Sequence, residues 1–315
     1  MSDWKKQFPK DNIFYETENG ILYCGNSEEI LKNFSEKIFD VILTDPPYQY
    51  LKHKLDIPFD EDCIFNEFKR IINKNGLVVL FGRGTAFYRW NVKLNELGFK
   101  FKEELIWDKG NSTSPLLPIS RIHETISIHQ KGKKKLNKIY INKLEYDFNA
   151  GEWHRLANDM KRLIIDLKKI KSIDELKKWI DGEEKYLKKN RSNKHGITTN
   201  DGLKQESVSY KIYESYLKGI LMKSIIRINR EHYKFKHPTQ KPIKLIEYLL
   251  KICSNENNLI LDPFLGSGTT AVACEQLNRR WIGIEINPEY CDIAKQRIEE
   301  EIKIKKNKLK NKLFE

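Results

Sequence analysis

Cysteine is scarce. The chain has five, Cys24, Cys63, Cys253, Cys274 and Cys291. They are scattered and form no Cys-x-x-Cys pair, which argues against a disulfide framework and against a cysteine zinc site. Long apolar runs are missing as well: none approaches the ~18–20 residues of a membrane span. The N-terminal MSDWKKQFPKDN has no apolar core of the kind a secretory signal requires. The expectation is a cytoplasmic protein with no membrane and no metal. No internal repeat is visible. What is present is a chain of 315 residues, enough for one large domain or two small ones. Hydrophobic residues make up 39% and aromatics 11%, the composition of a globular protein.

Lys and Arg number 57 against 44 Asp and Glu, a formal net charge of +13. The excess is localised. Residues 111–235 hold 27 basic and 15 acidic residues, and residues 301–315 hold six Lys and two Glu. The remaining segments, 1–110 and 236–300, hold 24 basic and 27 acidic residues. A near-neutral body therefore carries a basic middle and a basic tail. Clustered cations displace counterions from nucleic acid, which makes a phosphate-rich partner one reading. A lysine-rich solvated surface is the other, and charge alone leaves the two level.

Both ends of the chain alternate short apolar runs with helical spacing. Ile21–Cys24, Val41–Thr44 and Leu77–Phe81 read as strands, with Glu104–Trp107 and Thr125–His129 as further candidates. Glu28–Phe34, Cys63–Ile72 and Phe87–Leu97 read as helices, with Asn75-Gly76 as a turn and Gly98 as a C-cap. From Leu156 to Leu187 the apolar residues keep helical spacing, broken near Ser172, a plausible cap. Asn190–Gln205 is polar and reads as loop. Alternation resumes with a helix at Ile243–Ile252 behind Pro242, a strand at Leu259–Leu261, a helix at Thr269–Leu277, a strand at Trp281–Ile284 and a helix at Pro288–Glu300. Such repetition argues for an α/β fold with a parallel, doubly wound sheet. The basic middle is then an insertion between two parts of one domain. The boundaries read as 1–110, 111–235, 236–300 and a tail at 301–315.

Three strand-end motifs carry the chemistry. In LILDPFLGSGTT, Leu259–Thr270, an apolar strand ends at Asp262 and is followed by Phe264, Gly266, Ser267, Gly268 and Thr269. Glycines here let a backbone approach a ligand, and the amides at a helix start welcome negative charge. The loop lacks the Lys of a Walker motif and, with Ala271, the third glycine of the dinucleotide fingerprint. Seventeen residues after Gly268, the next strand ends in Glu285, the position where such folds bind a ribose diol. In TDPPY, Asp45 closes another strand. Pro46 and Pro47 stiffen the backbone and remove two amide donors. A carboxylate and a free carbonyl side by side can both accept from one amino group, and Tyr48 offers a flat face for a planar base. The third motif, HPTQKP at His237–Pro242, alone is only a helix start.

Taken together, the motifs resemble those of the amino-group DNA methyltransferases that use S-adenosyl-L-methionine, in the circularly permuted order called the beta group. In that group the D-P-P-Y block comes first, then the target-recognition region, then H-P-T-Q-K-P and the cofactor loop. The resemblance covers roughly residues 20–130 and 236–300. It implies a circularly permuted Rossmann-like methyltransferase sheet with an inserted, largely helical target-recognition lobe. It implies a cofactor pocket shaped by Asp45, Asp262, Phe264, Gly266, Ser267, Gly268 and Thr269, with Glu285 on the ribose and Gln240 and Lys241 at the methionine end. Asn26 stands where the family often has an Asp that meets the adenine. Trp107-Asp108-Lys109 and Arg121–Lys131 resemble the block lining the target-base pocket.

The implied substrate is double-stranded DNA. The implied mechanism flips the target base onto Tyr48 and has Asp45 and the Pro46 carbonyl accept from its amino group. Asp at position 45 leans to N6 of adenine, since cytosine-N4 members more often carry Ser there. Candidate DNA contacts are Lys109, Arg121, Lys133, Lys134, Lys135, Lys188, Lys189 and Arg191. A homodimer and a cognate restriction endonuclease are further expectations. Protein glutamine methyltransferases also present Pro-Pro-Tyr, but with Asn ahead of it and the cofactor loop upstream. RNA remains an alternative substrate.

Overall fold

The apolar run that stops at Thr44 becomes β3 (Phe39–Thr44), buried along nearly its whole length, and the sheet is organised around it. The computed structural model describes residues 3–48, 57–110, 118–149, 151–181, 208–229 and 240–312. Its other strands are β1 (Ile13–Glu16), β2 (Gly20–Cys24), β4 (Ile72–Gly82), β5 (Lys100–Asp108), β6 (His123–Gln130), β7 (Tyr140–Ile141), β8 (Ile220–Leu221), β9 (Ile225–Arg227), β10 (Leu259–Asp262) and β11 (Arg280–Glu285). Nine of the eleven described strands form one sheet in the order β1-β2-β11-β10-β3-β4-β6-β5-β9, and β7 pairs with β8 separately. From β2 to β4 neighbouring strands are parallel. Beyond β4, β6 runs antiparallel to both β4 and β5. A mostly parallel sheet needs both faces covered, which is why its strands are continuous apolar runs rather than alternating ones.

Two strands from the C-terminal third, β10 and β11, lie between two from the N-terminal part, β2 and β3. This is the circular permutation in spatial form. Ile260 pairs with Val41 and Leu261 with Ile42, so β10 and β3 end side by side. From β10 the chain proceeds to β11 on one side, and from β3 to β4 on the other. The carboxyl ends of these strands are therefore a topological switch point, where open α/β sheets bind ligands.

The helices follow local signals. Glu61–Ile71 starts where the Asp60 carboxylate accepts from the Cys63 amide at 3.0 Å, and it buries Ile64, Phe65, Phe68 and Ile71. Gly84–Glu96 buries Phe87, Trp90 and Leu94. Ile243–Cys253 starts directly behind Pro242 and buries Leu245, Ile246, Leu249 and Leu250. Each fully buried Leu, Ile or Phe contributes about 1.5–3 kcal/mol of transfer free energy.

Two readings change. Asn75-Gly76 is no turn between elements: β4 runs through it, and the register to β3 jumps from Phe39↔Ile72 to Val41↔Leu77. The extra residues bulge out and dock on the segment after β6, where Gly76 accepts from the Lys131 amide at 2.9 Å. The C-terminal helix does not stop at Glu300 but spans Pro288–Lys312. Lys305 helps hold it there by donating to the Glu275 carbonyl and the Asn278 side chain. β1, β9 and the helix Lys143–Asn149 had no clear periodic signal, being short or lying on the edge.

The chain forms two compact units, Met1–Asn137 with Lys223–Glu315, and Lys138–Met222. The second is thus narrower than residues 111–235, because β6 and β9 belong to the large sheet. Its described helices are Lys143–Asn149, Trp153–Leu167, Ile173–Ile180 and Val208–Lys218. Ser172 caps the third, accepting from the Glu175 amide at 3.1 Å. Inside this unit Lys143 is buried against Asp147 and Asp159, and Trp179 packs against Tyr213 with ring centroids 4.9 Å apart. No described helix is long and apolar enough to cross a membrane.

Candidate active site

At the end of β3 the backbone leaves the sheet through Asp45, Pro46, Pro47 and Tyr48. Both oxygens of the Asp45 carboxylate are engaged. The Tyr48 hydroxyl donates to Oδ1 at 2.6 Å, and the Lys241 ammonium donates to Oδ2. The Tyr48 ring lies 6.2 Å from that of Trp90, centroid to centroid. Lys241 reaches Asp45 from the segment just ahead of helix Ile243–Cys253. Its Nζ is also 3.2 Å from Glu124 Oε2 and 5.1 Å from the centre of the Phe81 ring. Glu124, on β6, accepts from the Lys109 ammonium through Oε1 at 3.2 Å. Four charges thus alternate along a line: Lys109, Glu124, Lys241, Asp45.

The line is stable because each buried charge faces an opposite one. Burial alone pushes the Lys241 ammonium down, but Asp45 and Glu124 outweigh it and hold its pKa above the usual lysine range. Burial alone pushes Glu124 up, but Lys241 and Lys109 hold it below the usual carboxylate range. Both sides are charged at neutral pH. Glu124 lies within the Arg121–Lys131 block but was not singled out in the sequence. Its only signal was a carboxylate at an otherwise basic and apolar strand start.

The neighbouring strand ends carry the other half of the site. Asp262 closes β10. Its Oδ1 accepts from the Phe264 amide at 3.1 Å and its Oδ2 from the Thr270 hydroxyl at 2.6 Å. Burial nevertheless raises its pKa to about 7, beyond what these hydrogen bonds offset, and the nearby Asp45 and Glu285 add to the rise. The loop then turns through Gly266 and Gly268, both left-handed with φ of 56° and 83°. A Cβ at Gly268 would also sit 2.8 Å from the Ala294 Cβ, so this residue sets how closely the loop packs on the C-terminal helix. Glu285 closes β11. It accepts from the Gly266 and Asn287 amides, each at 2.8 Å, and burial raises its pKa.

Ser267 donates to Gln240 at 3.2 Å, tying the loop to the segment that carries Lys241. Arg297 donates to the Ser267 hydroxyl at 2.9 Å and the Thr269 hydroxyl at 3.2 Å. Phe264 packs on Phe59, with ring centroids 5.0 Å apart. Asn26 has a structural task as well: its side-chain oxygen caps helix Ser27–Ile30 through the Glu28 amide at 2.8 Å.

The structure therefore gathers Asp45, Gln240, Lys241, Asp262, the glycine loop and Glu285 at one end of the parallel strands. The candidate DNA contacts divide. Lys109 is corrected: it is 3% exposed and its ammonium serves Glu124, so burial removes it from any phosphate-facing surface. Arg121, Lys133 and Lys135 are exposed and Lys134 is half-buried. Lys188, Lys189, Arg191 and residues 237–239 lie outside the described residues.

Residues 39–296 match the family model described as DNA methylase, that of the N6/N4 methyltransferases. The chain belongs to this DNA methylase family. It is 26% identical to the type II methyltransferase M.HpaI of Haemophilus parainfluenzae over 296 residues, covering 89% of this chain and 74% of that one. It is 28% identical to the orphan methyltransferase M.BamHII of Bacillus amyloliquefaciens over 277 residues, covering 85% and 91%. Among solved structures, the PvuII DNA methyltransferase, described as cytosine-N4-specific, superposes with a TM-score of 0.57 at 16% identity, covering 91% of this chain and 89% of that one. The M1.HpyAVI–SAM complex superposes with a TM-score of 0.51 at 24% identity, covering 88% and 98%.

The cofactor of this DNA methylase is S-adenosyl-L-methionine. The donor set at the strand ends suits it. Glu285 is a buried carboxylate fixed by two amides, an acceptor suited to a diol. The glycine loop turns through left-handed backbone, and Asp45 places negative charge at the neighbouring strand end, where a sulfonium is welcome.

Proposed function

We propose that the chain methylates N6 of adenine in duplex DNA, with the target base flipped out of the stack. The observation that carries this reading is the position of Asp45. It ends the strand beside β10, one strand from Glu285, with a carboxylate held by Tyr48 and Lys241 at the rim of the cofactor loop.

When bound, S-adenosyl-L-methionine supplies the methyl on an electrophilic sulfonium, so the transfer breaks a sulfur–carbon bond, forms a nitrogen–carbon bond and leaves positive charge on the nitrogen until a proton departs. The chain's residues do the rest by position and charge. Glu285 would hold the ribose hydroxyls, and the glycine loop with Gln240 and Lys241 would border the methionine part. Asp45 and the Pro46 carbonyl would accept the two amino hydrogens. That draws the nitrogen lone pair out of conjugation and stabilises the charge that develops there. Tyr48 would stack on the extruded base, and exposed Arg121, Lys133 and Lys135 would contact phosphates. Flipping costs a few kcal/mol, which phosphate contacts offset.

Nucleoside analysis of duplex DNA treated with the protein and cofactor tests the target. N6-methyladenine is expected; N4-methylcytosine without N6-methyladenine overturns the adenine reading. Parallel reactions on single-stranded DNA and RNA test the substrate, with duplex DNA expected to be preferred.

A further inference from the structure

Asp45 is not an idle acceptor in this structure. Its Oδ2 already holds the Lys241 ammonium, a donor stronger than any amino group of a base. While that contact is tight, electron density on the oxygen is drawn to the cation, and Asp45 is a poorer acceptor for the target amine. Lys241 cannot simply turn away. Its side chain is 10% exposed and lies over the Phe81 ring, and a buried ammonium without a counter-ion is costly.

Glu124 provides the way out. Its Oε2 is already 3.2 Å from Lys241 Nζ, while its Oε1 is anchored by Lys109 at 3.2 Å. The Lys109 ammonium in turn lies 5.8 Å from the centre of the Trp107 ring. We propose that Glu124 is a positioning residue for methyl transfer: it shares the Lys241 ammonium with Asp45 and takes over that charge when the target amino group engages the Asp45 carboxylate. The inference rests on Asp45 being the acceptor for the amine. The ammonium shifts between two carboxylates without passing through an unpaired state. Lys109 keeps Glu124 ionised and in place throughout.

Steady-state kinetics on duplex DNA with E124Q, E124D, K241M, the double variant E124Q/K241M and D45A test this. With E124Q, Asp45 is left as the one anion beside Lys241 among the described residues. The expected result is a fall in kcat of roughly 10- to 100-fold with KM for DNA changed by no more than about 2-fold. E124D retains the charge and should recover most of the loss. In the K241M background, E124Q should lower kcat by no more than about 2-fold, since Glu124 acts through Lys241. Wild-type kcat in E124Q, an equal loss in E124D, or a full additional loss in the double variant overturns the role of Glu124. These results leave Asp45 untouched so long as D45A is inactive. An active D45A overturns the assignment of Asp45 itself, and the proposal with it. Should E124Q alone fail to fold, the comparison of K241M with E124Q/K241M carries the test, and a further loss of more than about 2-fold between them overturns the role.

Discussion

The Lys241 ammonium donates to the Asp45 carboxylate although the two residues lie 196 positions apart in the chain. The contact joins the D-P-P-Y strand end to the segment leading into the cofactor half. It exists because β10 inserts beside β3, which brings helix Ile243–Cys253 and its approach over the end of β3. Asp45 thereby has a fixed orientation and a counter-ion before any substrate arrives.

Replacing Asp45 by Ala should abolish methyl transfer, a loss of roughly 10³-fold or more, while S-adenosyl-L-methionine still binds. Calorimetric titration of the cofactor into D45A checks this. Loss of cofactor binding as the main effect counts against Asp45 as the acceptor for the amine.

Glu285→Gln should weaken cofactor binding by roughly 10- to 100-fold, the cost of losing a charged acceptor in a buried site. The Gly266 amide donates to one carboxylate oxygen and the Asn287 amide to the other; Gln keeps an acceptor for one of them, so the fold should survive with the other amide deprived of this partner. Unchanged affinity in the same titration would remove Glu285 from the pocket.

Arg297 ties the glycine loop to the C-terminal helix through Ser267 and Thr269. R297M should raise KM for the cofactor about 10-fold through a loosened loop and leave KM for DNA near the wild-type value. Equal rises in both would point to general unfolding instead.

Asp262 gives a stability profile of defined sign. Its pKa is raised by burial to about 7, against about 3.9 in an unfolded chain. The folded state therefore prefers the protonated form. The stability this contributes is fully present below about pH 4 and is lost as pH rises through about 7, at about 1.4 kcal/mol per unit of difference. D262N cannot titrate. The difference in melting temperature, wild type minus D262N, should fall between pH 4 and 7 and then level off. A flat difference would show that Asp262 is ionised throughout.

The exposed lysines after β6 supply a test of the DNA-facing surface. K133E/K135E should weaken duplex binding and reduce the salt slope by about one for each phosphate that is no longer neutralised. An unchanged slope would make them solvated surface only.

Much of this was legible in one dimension. The strands β3, β10 and β11 are short apolar runs ended by Asp45, Asp262 and Glu285, and such runs speak for themselves because burial on both faces leaves no room for polar alternation. Gly266 and Gly268 announced a tight loop because few other residues adopt left-handed backbone. Ser172 and Pro242 marked helix starts for equally local reasons. Local chemistry failed where the cause was not local. Asn75-Gly76 carries a turn signal, yet the pairing of β4 with β3 and with β6 carries the strand through it. Lys109 looked like one more cation in a basic stretch, whereas the structure buries it on Glu124.

The sequence by itself determined the strand-end chemistry, the family and its cofactor, because those rest on residue types at short spacings. Only the tertiary structure decided which charges meet. The alternation Lys109, Glu124, Lys241, Asp45 joins segments whose spacing in the chain carries no signal, and it depends on β6 lying beside β4 and β10 beside β3. Burial then makes the pairing obligatory, since a charge without water must find its opposite nearby.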